Sequence, residues 1–161
     1  MTVRALFTGR VPKPFSLTVN DVPRQYCDVM TPFDAPQGEL AWMFLQSTSE
    51  GGDLDEGFAL LRDDFTYWSL YTRESCDKVA LRRAIEERNR SLELTIDLVR
   101  CVNEGETVVV EAQATGTTAE GFDYDSPFVC IFETHDGLIL SLRVYSDTRA
   151  MAAALPGWTP Y

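Results

Sequence analysis

The sequence predicts an α+β fold in which a curved antiparallel sheet wraps around about three N-terminal helices. Helical patterns occupy most of the chain between residues 34 and 89. From residue 92 onward, apolar side chains recur at every second position, which is the period of a half-buried strand. Turn sequences at 103–105 and 135–137 separate these alternating segments, so we expect hairpins. Helices on one side of an antiparallel, hairpin-linked sheet are the α+β pattern.

Length and composition indicate one globular domain that does not bind nucleic acid or membranes. The chain has 161 residues, of which 45% are hydrophobic and 24% are charged, and this suits a domain with its own core. The net charge of −11 opposes binding to nucleic acid or anionic lipid, because both require clustered Lys and Arg. No apolar run is long enough for a signal peptide or a membrane span, so we expect a cytoplasmic protein.

The cysteines and the single histidine show no metal-binding spacing. Cys27, Cys76, Cys101 and Cys130 are scattered without a CxxC motif, and His135 lies at the tip of a predicted turn. Zinc sites and Cys–His nucleophile pairs need these side chains in clusters. We therefore expect reduced, mostly buried thiols, no metal and no cofactor.

Residues 1–33 are predicted to form an irregular N-terminal arm, and residues 34–161 a single domain. Four prolines interrupt the arm, and no apolar periodicity extends across it. In the domain, Asp34 can cap the first helix and Pro36 fits its first turn. The Gly51-Gly52 pair is expected to end this helix.

Two further helices flank the first predicted strand. The second helix opens with Asp53 and Glu56, which have the spacing of a capping box. The third helix covers roughly residues 77–89 and presents charged pairs on a solvated face. Between them, residues 65–71 are aromatic and β-branched enough for a strand.

Four later strands are predicted at residues 92–98, 108–114, 126–134 and 138–147. The segment 116–125 is predicted to be a longer connection. A sheet of this kind, curled around helices, leaves an open-ended cone, and such a concave space is a natural site for a small molecule.

The last predicted strand, residues 138–147, has two distinct faces. One face is apolar and consists of Leu138, Leu140, Leu142 and Val144. The other face is largely polar and consists of Ile139, Ser141, Arg143, Tyr145 and Asp147. Strand parity alone leaves open which face looks into the cone and which is solvated or covered by a partner subunit.

Two segments carry a resemblance to a known family. The stretch GDLDEGFALLRDDFTYW at 52–68 and the stretch DGLILSLRVYSD at 136–147 resemble the nuclear transport factor 2-like superfamily, whose members include ketosteroid isomerases, limonene epoxide hydrolases and SnoaL-like polyketide cyclases. The resemblance covers about residues 36–155. It implies a cone-shaped, cystatin-like α+β barrel, and it implies the fold more specifically than an activity.

The residues of the ketosteroid isomerase site are not retained. The aspartate base of those enzymes corresponds to Ser69 here. Their helical tyrosine corresponds to Phe44 or Leu45, and their protonated aspartate to Phe128. The resemblance therefore implies that this chain does not perform that enolisation chemistry.

The epoxide hydrolase site is half retained. The tyrosine and aspartate that hold the hydrolytic water in those enzymes correspond to Tyr67 and Asp147, and the asparagine to Ser69. Their Arg–Asp pair falls on Ala112 and Ala114, which cannot polarise an epoxide. The resemblance implies a site with an acid/base carboxylate and a phenol, and it favours an inward polar face on the last strand.

We combine the resemblance with strand parity to predict the site residues. The catalytic candidates are Asp147 as general acid/base, with Tyr67 and Tyr145 as hydrogen-bond donors. The substrate-binding candidates are Arg143, Ser69, Tyr71, Trp42, Phe44, Leu45 and Phe128.

These residues suggest a cofactor-independent enzyme for a small, largely apolar substrate such as a polyketide, terpenoid, steroid or aromatic compound. The reaction would be of the cyclase, isomerase, hydrolase or lyase type. A non-catalytic ligand-binding module and a protein-interaction domain of the same fold are the alternatives. The apolar row Leu138, Leu140, Leu142 and Val144 predicts a homodimer through the convex face of the sheet.

Overall fold

Six strands form one curved, unclosed sheet in the computed structural model, which describes residues 33–158. The helices are α1 (Pro36–Ser47), α2 (Leu54–Ala59), α3 (Lys78–Ser91) and α4 (Thr148–Ala154). The strands are β1 (Leu61–Ser69), β2 (Ser75–Asp77), β3 (Leu92–Glu104), β4 (Thr107–Thr118), β5 (Asp123–His135) and β6 (Leu138–Ser146). The predicted α+β class is therefore confirmed.

The sheet has the strand order β2-β1-β6-β5-β4-β3. The chain from β3 to β6 is an antiparallel meander, with short turns after β3 and β5 as the hairpin signals predict. The prediction of a longer connection at 116–125 is wrong, because β4 ends at Thr118 and β5 begins at Asp123. The prediction of a purely antiparallel sheet is wrong at one pair, because β1 runs parallel to β6. No hairpin constrains these two strands, since α3 and three strands of the meander separate them in sequence.

The helix starts follow the capping residues, with one exception. Asp53 accepts hydrogen bonds from the backbone N–H groups of Asp55 and Glu56 at 2.8 and 3.2 Å and so caps α2. Asp77 caps α3 in the same way. The prediction that Asp34 caps α1 is wrong: the N-cap position is Ala35, without a side-chain bond, and Pro36 begins the helix.

The core lies between the helices and the inner face of the sheet. Phe44 of α1 and Ile85 of α3 are buried in one core cluster with the inward row of β4, where Val108, Val110 and Ala112 have no exposed surface. Burial of one large apolar side chain stabilises a fold by roughly 1.5–3 kcal/mol. The period-two pattern of β4 therefore predicts its inward face correctly.

A β-bulge in β6 alters the alternation expected for the last strand. Ser141 pairs with Glu133, whereas Ile139 pairs with Thr134, so Leu140 is one residue in excess. Because of this insertion, Ile139 and Leu142 are both buried, at 0% and 3% exposure. The prediction that Leu140 and Leu142 share a convex apolar face is therefore wrong.

The predicted N-terminal arm, residues 1–33, lies outside the described residues apart from Phe33. The described residues all belong to one compact unit, Thr31–Tyr161. Within residues 33–158, no helix is long and apolar enough to cross a membrane.

Substitution of Gly57 tests the close approach of α2 to α1. A Cβ atom at Gly57 would overlap the buried Ser47 side chain, whose hydroxyl donates to the Phe44 carbonyl at 2.7 Å. We expect Gly57→Ala to lower the free energy of unfolding by about 1–3 kcal/mol, measured by urea denaturation.

A second substitution separates this clash from a general effect on α2. In the double variant Gly57→Ala/Ser47→Gly, the overlap is removed, so the combined loss should be smaller than the sum of the two single losses. Strictly additive losses would show that the contact between Gly57 and Ser47 does not limit this position.

Candidate active site

A cavity of about 130 Å³ opens between α1, α3 and the inner face of the sheet. Most of its wall is apolar and comes from helix residues such as Phe44 and Ile85 and from strand residues such as Ile96 and Leu142. A minority of polar side chains complete the lining: Thr48, Tyr67, Ser69, Tyr71, Arg88, Tyr124 and Ser146. An apolar pocket with a few converging polar groups is the usual form of a small-molecule site.

The cavity brings together a part of the predicted site. The predicted site residues that line it are Phe44, Leu45, Tyr67, Ser69, Tyr71 and Phe128. Their shared location follows from the fold, because α1, the end of β1 and the middle of β5 all face the same space. Their functional roles stay predictions.

The end of β1 forms one side of the cavity. The Ser69 hydroxyl accepts a hydrogen bond from the backbone N–H of Tyr71 at 3.0 Å, which holds the turn after the strand. The Tyr71 ring packs against Trp158, with ring centroids 5.9 Å apart. Because Met151 of α4 and Trp158 also line the cavity, the C-terminal segment contributes to its wall.

Arg143 and Tyr145 do not line the cavity, so the inward orientation predicted for the polar face of β6 is wrong. The Arg143 guanidinium lies 5.0 Å from the ring centroid of Trp68 and 6.0 Å from that of Tyr145. Leu142, Val144 and Ser146 face the cavity in their place. The physical reason is the cost of burying an unpaired guanidinium, which the alternative orientation avoids by burying two apolar side chains.

Asp147 and Trp42 also lie outside the cavity lining. Asp147 is exposed, and its carboxylate accepts hydrogen bonds from the backbone N–H groups of Arg149 and Ala150 at 2.9 and 3.1 Å, so it caps α4. Trp42 is half-buried and packs against the main core. The position inside the cone predicted for Asp147 is therefore wrong.

The cavity also contains a positively charged side chain, Arg88, that is not among the predicted site residues. Arg88, near the end of α3, donates through Nη2 to the Thr48 carbonyl, and through Nε and Nη2 to Asn89 Oδ1 at 3.1 and 2.8 Å. Desolvation lowers the pKa of Arg88 to about 10, while Tyr67 and Tyr124 act in the opposite direction. The guanidinium therefore stays positively charged at neutral pH.

A helical pattern could have identified Arg88. Leu81, Ala84, Ile85 and Arg88 occur at i, i+3, i+4 and i+7, which places the arginine on the buried stripe of α3. Its neighbours in the sequence are charged, and so the segment is more easily interpreted as a solvated face.

Tyr124 is the second cavity residue that sequence reasoning missed. The sequence pattern predicts a loop at this position, but β4 ends at Thr118 and β5 begins at Asp123, so Tyr124 lies in a strand. Its side chain is buried, and desolvation raises its pKa. The Asp147 carboxylate acts in the same direction, whereas the Ser126 hydroxyl and Arg88 act in the opposite one. The phenol is therefore neutral and able to donate a hydrogen bond.

The chemistry of this lining differs from the predicted acid/base site. Among the cavity residues within 33–158, none carries a carboxylate or an imidazole. The same part of the chain contains no group of three or more His, Cys, Asp or Glu residues that could hold a metal ion. The polar groups present, a guanidinium with phenols and hydroxyls, are suited to hydrogen-bonding a ligand oxygen.

Comparison with solved structures identifies the fold. A Catenulispora acidiphila protein with a ketosteroid isomerase-like fold, solved with trimethylamine, is 17% identical, with a TM-score of 0.65 over 76% of this chain and 98% of that one. A candidate SnoaL-like polyketide cyclase from Jannaschia sp. CCS1 is 18% identical, with a TM-score of 0.64 over 81% and 98% of the two chains.

A third similar structure is an epoxide hydrolase of the LEH-like type from M. tuberculosis. It is 19% identical, with a TM-score of 0.63 over 74% of this chain and 89% of that one. Identities in this range establish a common fold and leave the activity of this chain undetermined. Among functionally curated proteins, no significant match is found.

The family is established by a match to the sequence itself. The model of the SnoaL-like domain matches residues 43–142, which extend from within α1 to within β6 and include β1 and α3 completely. This match covers more than half of the 161 residues. The chain therefore belongs to the SnoaL-like family, within the nuclear transport factor 2-like superfamily.

Proposed function

We propose that this protein is a cofactor-independent enzyme that binds a small, largely apolar organic molecule in the cavity and acts on it. The observation that carries the proposal is the apolar wall with a few converging polar groups. An engineered cavity of about 150 Å³ holds benzene, so the enclosed part of this site accommodates roughly one ring, and a larger substrate would extend through its mouth. Polyketide, terpenoid, steroid and aromatic compounds fit this description.

The reaction would be of the cyclase, isomerase, hydrolase or lyase type, in which negative charge develops on a substrate oxygen. Tyr67, Tyr124 and Arg88 supply hydrogen-bond donors for that oxygen in a site of low polarity. Preorganised donors of this kind stabilise a transition state more than the substrate. The names of similar proteins, which include polyketide cyclase, isomerase and epoxide hydrolase, support this range of reactions.

The catalytic role predicted for Asp147 requires its carboxylate to reach the reacting atoms. A general acid/base must reach the reacting proton directly or through one water. The Asp147 carboxylate is exposed and already accepts two backbone hydrogen bonds at the start of α4. We therefore assign donor roles to Tyr67 and Tyr124 and a helix-capping role to Asp147.

A non-catalytic ligand-binding protein is the second candidate. It is favoured by the lack of any carboxylate or imidazole among the described lining residues, since proton transfer usually relies on these groups. The two candidates share one ligand class and differ in turnover. A binder would show thermal stabilisation by a ligand that is recovered chemically unchanged.

Replacement of Tyr67 tests whether the cavity is catalytic. After a thermal-shift screen of apolar aromatic, terpenoid and steroid compounds has given a substrate, Tyr67→Phe should lower kcat/KM about 100-fold, because one transition-state donor is lost. The matched control is Tyr145→Phe, which removes a phenol from the opposite face of the sheet and should leave kcat/KM unchanged. Equal effects of the two variants would contradict the assignment of the cavity as the active site.

Two substitutions at Asp147 test its structural role. Asp147→Ala removes the cap of α4 and should lower the free energy of unfolding by about 1 kcal/mol in a urea titration, whereas Asp147→Asn retains a capping side chain and should have little effect. We expect both variants to keep wild-type kcat/KM. A folded Asp147→Asn variant without turnover would restore the acid/base role.

We further propose that the protein forms a homodimer through the outer face of the sheet. Register places Trp68, Arg143, Ile131, Val109 and Val102 in one row across five strands of that face. The apolar row predicted from the sequence cannot form this interface, because two of its members, Leu142 and Val144, line the cavity. A largely apolar outer row supports association, because soluble monomers rarely expose large apolar patches.

Light scattering at micromolar concentration tests the dimer. We expect about twice the chain mass of 18.1 kDa for the wild type and a shift to the monomer for Ile131→Glu, since an unpaired carboxylate would be buried at the interface. Leu138→Glu is the control, because Leu138 is exposed beside the turn before β6 and outside this row. A wild-type mass equal to that of one chain would contradict the proposal.

A further inference from the structure

Arg88 lacks the partner that a partly buried guanidinium normally has. Of the three half-buried arginines within residues 33–158, Arg62 pairs with Asp64, and Arg82 pairs with Asp55 and Glu86. No carboxylate of the described chain forms an ion pair with Arg88. A guanidinium that loses its hydration without gaining a negatively charged partner is destabilised. The positive charge of Arg88 is therefore not balanced by an ion pair within the described residues.

The hydrogen bonds of Arg88 within residues 33–158 leave one side of its guanidinium available for a ligand. Nε and Nη2 donate to two neutral acceptors, the Thr48 carbonyl and the Asn89 side chain. Nη1 has no hydrogen-bond acceptor within residues 33–158. Since it is not one of the fully buried side-chain atoms that lack a partner, it keeps some accessible surface. Since Arg88 lines the cavity, these contacts hold it in place and leave its remaining donors for a ligand.

The surroundings of Arg88 favour a negative ligand atom over a neutral one. Tyr67 and Tyr124 line the same cavity and lie close enough to influence the pKa of Arg88. The buried Tyr124 phenol is a neutral donor. A cation in a largely apolar wall attracts an anion strongly, because the surroundings screen charges weakly.

From this geometry we infer that the ligand carries a negatively charged oxygen, as a carboxylate, an enolate or a phenolate, which pairs with Arg88 while its apolar body fills the cavity. This inference rests on the proposed function, since it presupposes that the cavity takes a small, largely apolar molecule. It adds a charge requirement, and it makes Arg88 the residue that determines specificity. The described lining offers no other cation to take that role.

A pair of probes with the same shape and different charge tests the inference. Binding of 2-naphthoate and of the neutral 2-naphthamide is measured by isothermal titration calorimetry at pH 7.5 on the wild-type chain. Charge-assisted hydrogen bonds stabilise by about 1.5–3 kcal/mol, so we expect naphthoate to bind roughly 10- to 100-fold more tightly. This comparison needs no mutation and holds even if a variant fails to fold.

Arginine variants identify the residue responsible. Arg88→Met keeps the length of the side chain and removes its charge, so it should weaken naphthoate binding more than naphthamide binding and abolish the preference for naphthoate. Arg88→Lys should retain part of the preference, since it keeps the charge and loses the planar fork. Arg90→Met is the matched control, because Arg90 is exposed on the same helix and its loss changes the net charge equally.

The outcomes separate the inference from the proposed function. Tight naphthamide binding without a preference for naphthoate would overturn the charge requirement and leave the apolar site intact. A preference that persists in a folded Arg88→Met variant would overturn the role of Arg88. If neither probe binds at millimolar concentration, the cavity does not accept small apolar ligands, and the proposed function and the inference both fail.

Discussion

The packing of α3 against the inner face of the sheet is the contact on which both the core and the cavity depend. One stripe of this helix buries Leu81, Ala84 and Ile85, which line the cavity together with residues of α1 and the strands. One turn later, the same stripe presents Arg88 to the cavity. Because a rigid helix holds both, the position of the guanidinium follows from core packing, and such support gives a binding site its precision.

The unpaired Arg88 lowers the stability of the fold, and a role in ligand binding would explain why a charge lies there. A guanidinium without a carboxylate partner destabilises the folded chain, and its lowered pKa is the sign of that cost. An apolar residue at position 88 would extend the buried stripe and avoid it. The presence of a charge at such a position is understandable if its electrostatic partner arrives with the ligand, since functional sites are where local rules of this kind are broken.

Sequence reasoning predicts the fold well because it depends on patterns that many residues share. The inward row Val108, Val110 and Ala112 and the cap at Asp53 are set by local chemistry, and both agree with the structure. Which side chains of β6 point into the cone depends on a single inserted residue, Leu140. The alternation of apolar and polar residues in the sequence does not show where that insertion lies. Parallel pairing of β1 with β6 is likewise a tertiary feature without a local signal.

Resemblance to relatives led to residues on the last strand, whereas the polar groups of this cavity come mainly from α3, β1 and β5. Identities of 17–19% show a shared fold, and a shared fold does not determine which residues line a site. Tyr67 lines the cavity in agreement with the resemblance, but Asp147 caps a helix and Ala112 and Ala114 lie on an apolar strand face. The positive charge in this cavity comes from α3, because the buried stripe of that helix continues as far as Arg88. A cation of this kind can be predicted from the sequence by following the periodicity of a core helix to its last turn.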